Sequence, residues 1–121
     1  MLTFSIVGAF YRPPAQAILS VLPSGAKLFI LSEPENPYDP KAIAIYVNSK
    51  ELSKIDKEVL ESALEGSGTS PEDLFLQPSW PLGYIPRNET SQIHPHLPEE
   101  GLTGTFLPPQ EKGSGKISVA F

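Results

Sequence analysis

No cysteine occurs anywhere in the chain. That absence removes disulfides, thiolate zinc sites and cysteine nucleophiles together, and it fits a reducing, cytoplasmic compartment. Basic residues are few: nine Lys and Arg stand against fourteen Asp and Glu, a formal net charge of −5 at pH 7, which works against holding a polyanion by charge alone. No apolar run approaches the roughly 20 residues of a membrane-spanning helix. The opening stretch, Met-Leu-Thr-Phe-Ser-Ile-Val-Gly, lacks basic residues and reads as a first strand, so no secretory leader is expected. Internal repeats and low-complexity tracts are missing. So is any nucleophile–base–acid set, phosphate-cradling glycine loop or catalytic carboxylate cluster. The expectation is a protein without catalysis, cofactor or metal.

What is present is a chain of 121 residues, long enough for one domain over 1–121 with its own buried core. Fourteen prolines and nine glycines fall in short clusters, which marks many turns between short strands. Strands are expected over 3–7, 27–32, 42–47, 82–86, 102–107 and 116–121, with 27–32 central because it is apolar on both faces. Residues 9–14 read as a loop and 16–22 as a short helical turn. Between residues 48 and 81 the period changes. Leu52, Ile55, Val59 and Ala63, with Leu60 and Leu64, recur at helical spacing, so one helix is expected over 49–64, capped by Asn48 or Ser49 and ended by Gly66. Ser70-Pro71-Glu72-Asp73 starts a second helical turn that ends near Phe75. This insertion holds seven acids (Glu51, Asp56, Glu58, Glu61, Glu65, Glu72 and Asp73) and three lysines, a net −4, which leaves −1 for the remainder. The fold class is mainly β: a small OB-like, modified β-barrel of about six strands with an inserted α-helix and a short second helical turn.

The most informative stretch is the connection Glu33-Pro-Glu-Asn-Pro-Tyr-Asp-Pro-Lys-Ala42 between two strands. Its three prolines fix their own φ, and Asn36 and Asp39, each before a proline, are pushed toward extended backbone. The loop is therefore stiff, and it holds Tyr38 beside Asp39 at the end of a sheet. An aromatic ring next to a hydrogen-bond acceptor suits a planar, hydroxyl-bearing ligand such as a nucleotide. The other reading is a turn in which the tyrosine packs on the barrel and the aspartate caps a backbone N–H.

Val7-Gly8 before the aromatic pair Phe10-Tyr11, then the block Glu-Pro-x-Asn-Pro-Tyr-Asp-x-x-Ala-Ile, then Leu-Gly-Tyr-Ile-Pro-Arg ending at Arg87, resembles the HIRAN domain. That module stands at the front of some SWI/SNF-type DNA helicases and occurs alone in bacteria and phages. The likeness covers roughly residues 6–87 outside the helical segment. It implies a modified OB-type barrel that grips the 3′ end of single-stranded DNA, with aromatics stacked on terminal bases, an aspartate accepting from the 3′-hydroxyl, and basic residues on phosphates. By position it points to Tyr11, Tyr38 and Asp39, with Arg12, Tyr84 and Arg87 nearby. Lys41, from its place in the same loop, is a further candidate phosphate contact, against the plainer reading of an ordinary exposed lysine. Two features depart from the helicase members: the order Phe10-Tyr11-Arg12, where they place a basic residue before two aromatics, and the long helical insertion.

The expected function is therefore a single-stranded DNA-binding module that recognises a 3′-hydroxyl end, in a repair, replication or phage–host setting. The alternative is a protein-interaction or inhibitor module acting through the acidic helix over 49–66. Trp80 reads as a packing residue at the return from the insertion. His94-Pro95-His96 lacks a third ligand at usable spacing, so no metal is expected there.

Overall fold

Short runs rich in β-branched and aromatic residues form six strands, because such side chains fit a pleated, half-buried surface. They are β1 (Leu2–Ser5), β2 (Lys27–Ser32), β3 (Ile43–Asn48), β4 (Ser79–Tyr84), β5 (Leu102–Leu107) and β6 (Lys116–Val119). The computed structural model describes residues 2–9, 12–109 and 115–120. The strands make one antiparallel sheet in the order β1-β6-β5-β2-β3-β4, with β2 in the interior as its two apolar faces require. Alternation sends Phe4, Leu28, Ile30, Ile43, Ile45, Val47, Phe106 and Ile117 to the inner face, each no more than 2% exposed.

The sheet curls until its two edges meet. Val7, just past β1, donates its N–H to the Tyr84 carbonyl at 3.0 Å, and Tyr84 returns its own N–H to the Val7 carbonyl at 2.8 Å. This two-bond bridge gives the sheet the form of a small OB-like barrel. Gly83 permits the approach, since a Cβ there would run into the Val7 carbonyl oxygen. Beside it the β3–β4 register slips between Ile45 and Tyr46, an irregularity of the kind that bends a strand at a barrel rim.

Four helices cover the barrel: α1 (Pro13–Val21), α2 (Ser49–Leu52), α3 (Lys57–Leu64) and α4 (Pro71–Phe75). Helix α1 packs on both β4 and α3, and Ile18, Leu19, Leu60, Leu64 and Leu74 join the strand residues in one hydrophobic cluster. The insertion leaves and rejoins the sheet at a paired position, Asn48 opposite Ser79, with the Ser49 N–H donating to the Pro78 carbonyl at 3.0 Å. None of the helices among the described residues is long and apolar enough to cross a membrane.

Several elements differ from the sequence expectation, each for a local reason. The helix expected over 49–64 is two helices. Asp56 turns its carboxylate to the N–H groups of Glu58 and Val59, at 2.9 and 3.3 Å, and so caps a new helix instead of continuing the old one. The restart changes the phase: Leu60 and Leu64 face the core while Val59 is 47% exposed. Helix α1 starts at Pro13, within the stretch read as a loop, because prolines at the first two helical positions forfeit only N–H groups that lack partners there. Strand β4 begins at Ser79 and takes in Pro81, which an edge strand tolerates. Two 3₁₀ stretches, Arg87–Gln92 and His94–His96, follow it without having been expected. By contrast, Asn48 caps α2, and Ser70 and Asp73 form a full capping box at α4.

Two outcomes follow. Gly83→Ala forces β4 away from Val7 and should destabilise the protein by about 1–3 kcal/mol, with hydrogen exchange at the Val7 and Tyr84 amides rising before that at β2; unchanged exchange there would show that the bridge does not hold the edges. Glu51 is buried, and the Lys54 ammonium, which donates to it at 2.9 Å, lowers its pKa first, with help from Lys27. A carboxylate lowered by folding stabilises above its unfolded pKa and loses that contribution as pH falls through the folded one. The stability advantage of wild type over Glu51→Gln should therefore be present at neutral pH and shrink below the ordinary Glu value of 4.5, as read by urea denaturation across pH.

Candidate functional site

The loop between β2 and β3 is shaped by one side chain. The Asn36 carbonyl oxygen accepts from the backbone N–H groups of Tyr38 at 2.9 Å and Asp39 at 3.1 Å, while its amide donates to Glu33 Oε1 at 3.0 Å. The other Glu33 oxygen takes the Tyr46 hydroxyl at 3.3 Å, which ties the loop to the face of β3. Burial raises the Tyr46 pKa first, and the Glu33 charge and hydrogen bond add to it, because both disfavour a phenolate. The base of the loop is closed by the Glu33 N–H on the Ala42 carbonyl at 2.9 Å. His94 braces it from the 3₁₀ segment, donating Nε2–H to the Lys41 carbonyl at 2.9 Å.

This scaffold holds Tyr38 out in solvent with 92% of its surface exposed. Its ring does not pack on the barrel. Asp39 behaves differently at its two oxygens. Oδ1 accepts the Lys41 N–H at 3.0 Å, the backbone cap of the alternative reading. Oδ2 faces the Arg87 Nε at 3.6 Å, beyond hydrogen-bonding distance, and so retains accepting capacity. The Arg87 side chain is 84% exposed, so it is not committed to that pair.

Barrel closure brings a third stretch to the same place. Arg12, at the N-cap of α1, lays its guanidinium over the Tyr84 ring, 5.5 Å from the centroid, with Nη2 reaching the Tyr84 hydroxyl at 3.5 Å. A cleft of about 360 Å³ results, and Arg12, Tyr38, Asp39, Tyr84 and Arg87 all line it. Its walls hold two cations and one carboxylate, in a protein whose total is −5.

Comparison with protein-family models, curated proteins and solved structures found no match.

Of the seven candidate residues, five converge on the cleft. Lys41 does not line it: both backbone groups of that residue are engaged, and its side chain is exposed outside the walls. Tyr11 lies outside the described residues. Sequence reasoning left out Asn36, whose position two residues before Tyr38 is the Asx-turn spacing that could have revealed it. It also left out Val7 and Thr90, which line the cleft with Ala42 and Ile85 and carry no local signal. Among the described residues, no group of three or more His, Asp or Glu side chains is placed to hold a metal ion.

Because Tyr38 is exposed, Tyr38→Ala should leave stability within about 0.5 kcal/mol of wild type. Asn36→Ala strips two backbone N–H groups of their acceptor and should cost about 1–2 kcal/mol. Urea denaturation separates the two, and a large loss in Tyr38→Ala would mean that the ring is structural.

Proposed function

We propose that the cleft binds the 3′-hydroxyl end of single-stranded DNA, without catalysis. The observation that carries this reading is the convergence of an exposed tyrosine, an aspartate whose Oδ2 faces Arg87 at 3.6 Å without a hydrogen bond, and two arginines in one cleft, from three stretches distant in sequence. Tyr38 offers an open ring face, and stacking on such a ring is worth about 1–3 kcal/mol per base whatever the base. Arg12 and Arg87 are placed for phosphates. A carboxylate beside a phosphate chain is repulsive unless it accepts a hydrogen bond, and a strand terminus supplies the hydroxyl that mid-strand DNA lacks. Asp39 Oδ2 is the acceptor in this scheme, and Arg87 swings from it to the neighbouring phosphate. The sequence resemblance to the HIRAN domain supports the same reading at Tyr38 and Asp39, with Arg12, Tyr84 and Arg87 nearby in its motifs and the order Phe10-Tyr11-Arg12 as a departure from it.

The scheme is tested by oligonucleotides that differ only at the terminus. A 3′-phosphate removes the donor and sets a dianion against Asp39, and each effect is worth on the order of 1–3 kcal/mol, so the 3′-hydroxyl form should bind far better in fluorescence anisotropy. Asp39→Asn keeps an acceptor oxygen, relieves the repulsion and should narrow that gap. Tyr38→Ala should weaken both forms by about 1–3 kcal/mol. With two arginines on phosphates, log K against log[salt] should slope about −1.4, at roughly −0.7 per phosphate on single strands. Equal affinity for the two termini would sink end recognition, and a slope several times steeper would point to a basic surface elsewhere.

A further inference from the structure

The helical insertion carries a second surface that the cleft does not use. A groove of about 530 Å³ runs between α3 and α4, walled by Ile55, Leu60, Phe75 and Leu76, with one cation, Lys57, and one carboxylate, Glu72, also in its lining. Phe75 is 44% and Leu76 82% exposed, so two large apolar side chains stand adjacent in water at the end of α4. Across Pro71 and Glu72, which belong to both, the groove adjoins a depression of about 960 Å³. Five acids line that depression, Glu58, Glu61, Glu65, Glu72 and Asp73, and no lysine or arginine does. Among the described residues none of the four glutamates makes an ion pair. An acidic helix face alone is ordinarily a solvated surface; here it borders an open apolar groove.

We propose that this face docks a basic amphipathic segment of a partner protein. Its apolar side chains enter the groove onto Phe75 and Leu76, and its lysines or arginines lie over the acidic depression. Charge complementarity selects this occupant. A second copy of the chain, meeting the face with its own, would bring five more acids against the five already there, and like charges across an interface are strongly disfavoured. An anionic polymer is repelled for the same reason. The amphipathic segment satisfies both halves of the surface at once, in the manner of a helix laid in a groove. The proposal is independent of the DNA reading, since no residue of the groove lines the cleft.

The test uses the full chain and two synthetic peptides of about fifteen residues, with one leucine stripe at helical spacing and either lysine or glutamate on the polar face. The lysine peptide should bind in calorimetry and the glutamate peptide should not. Raising salt from about 0.1 M to about 1 M, which shortens the Debye length from roughly 10 Å to 3 Å, should weaken binding severalfold. Leu76→Ser should cost about tenfold or more, and Phe75→Ser should act in the same direction. Both should keep the wild-type circular dichroism spectrum, Leu76 being too exposed to carry the fold. The double variant Glu61→Gln, Glu65→Gln should flatten the salt dependence. The proposal is overturned if the lysine peptide fails to bind, if the glutamate peptide binds as well, or if Leu76→Ser binds like wild type. It is also overturned if sedimentation shows a wild-type dimer that Leu76→Ser dissolves, because a second copy then covers the face.

Discussion

Two backbone hydrogen bonds between Val7 and Tyr84 are the constraint on which the cleft depends. In the sheet order, β1 and β4 are the two opposite edges, and nothing in the ladder itself brings them together. The bridge does, and it does so only because Gly83 leaves room for a carbonyl oxygen where any side chain would collide. Once the edges touch, Arg12 is delivered to the Tyr84 ring across 72 positions of sequence, and both come to face the loop after β2. The loop needs no such help for its own shape, since Asn36 and Glu33 organise it from within. The cleft is thus one prefabricated wall and one wall assembled by barrel closure.

The charge distribution follows the same division of labour. A protein at −5 is a poor place for an anion on average, yet none of the seven acids of the insertion lines the cleft. The acids are collected on α2, α3, α4 and their connections, where Glu51 alone is buried and paired. Segregating charge in this way allows one small chain to present surfaces of opposite preference, which a uniform mixture of the same residues would cancel.

Much of the sheet was legible because alternation is local: Phe4 and Ile6, or Ile43, Ile45 and Val47, announce their shared face within a few residues. Caps were legible for the same reason, as at Asn48 and Ser70, where the acceptor and the N–H it serves are three residues apart. The break at Asp56 was not, because Leu52, Ile55 and Val59 keep helical spacing across it and only the competition for the Glu58 and Val59 N–H groups decides the outcome. The start of α1 has no unambiguous signal, because Pro13-Pro14 marks a turn and a first helical turn alike. In the site, Tyr38 and Asp39 were legible from proline-imposed stiffness. Lys41 shows the limit of that logic: nearness in sequence to Asp39 did not place it in the cleft, since its backbone is held between Asp39 and His94 and its side chain is left outside. The partners contributed by closure, Val7 and Thr90 among them, have no local pattern to read.

The paired exit and return of the insertion has an architectural consequence. Because Asn48 and Ser79 face one another across adjacent antiparallel strands, the path from β3 to β4 needs no more than a tight hairpin, and the sheet's connectivity would be complete without any of the intervening residues. Topologically the insertion is an appendage. Its leucines say otherwise: Leu52, Leu60, Leu64 and Leu74 belong to the same continuous interior as the strands, and α3 is the surface on which α1 rests. What is dispensable to the wiring of the fold is thereby made indispensable to its interior, and the inward leucines anchor the outward face of this stretch to the barrel's own packing.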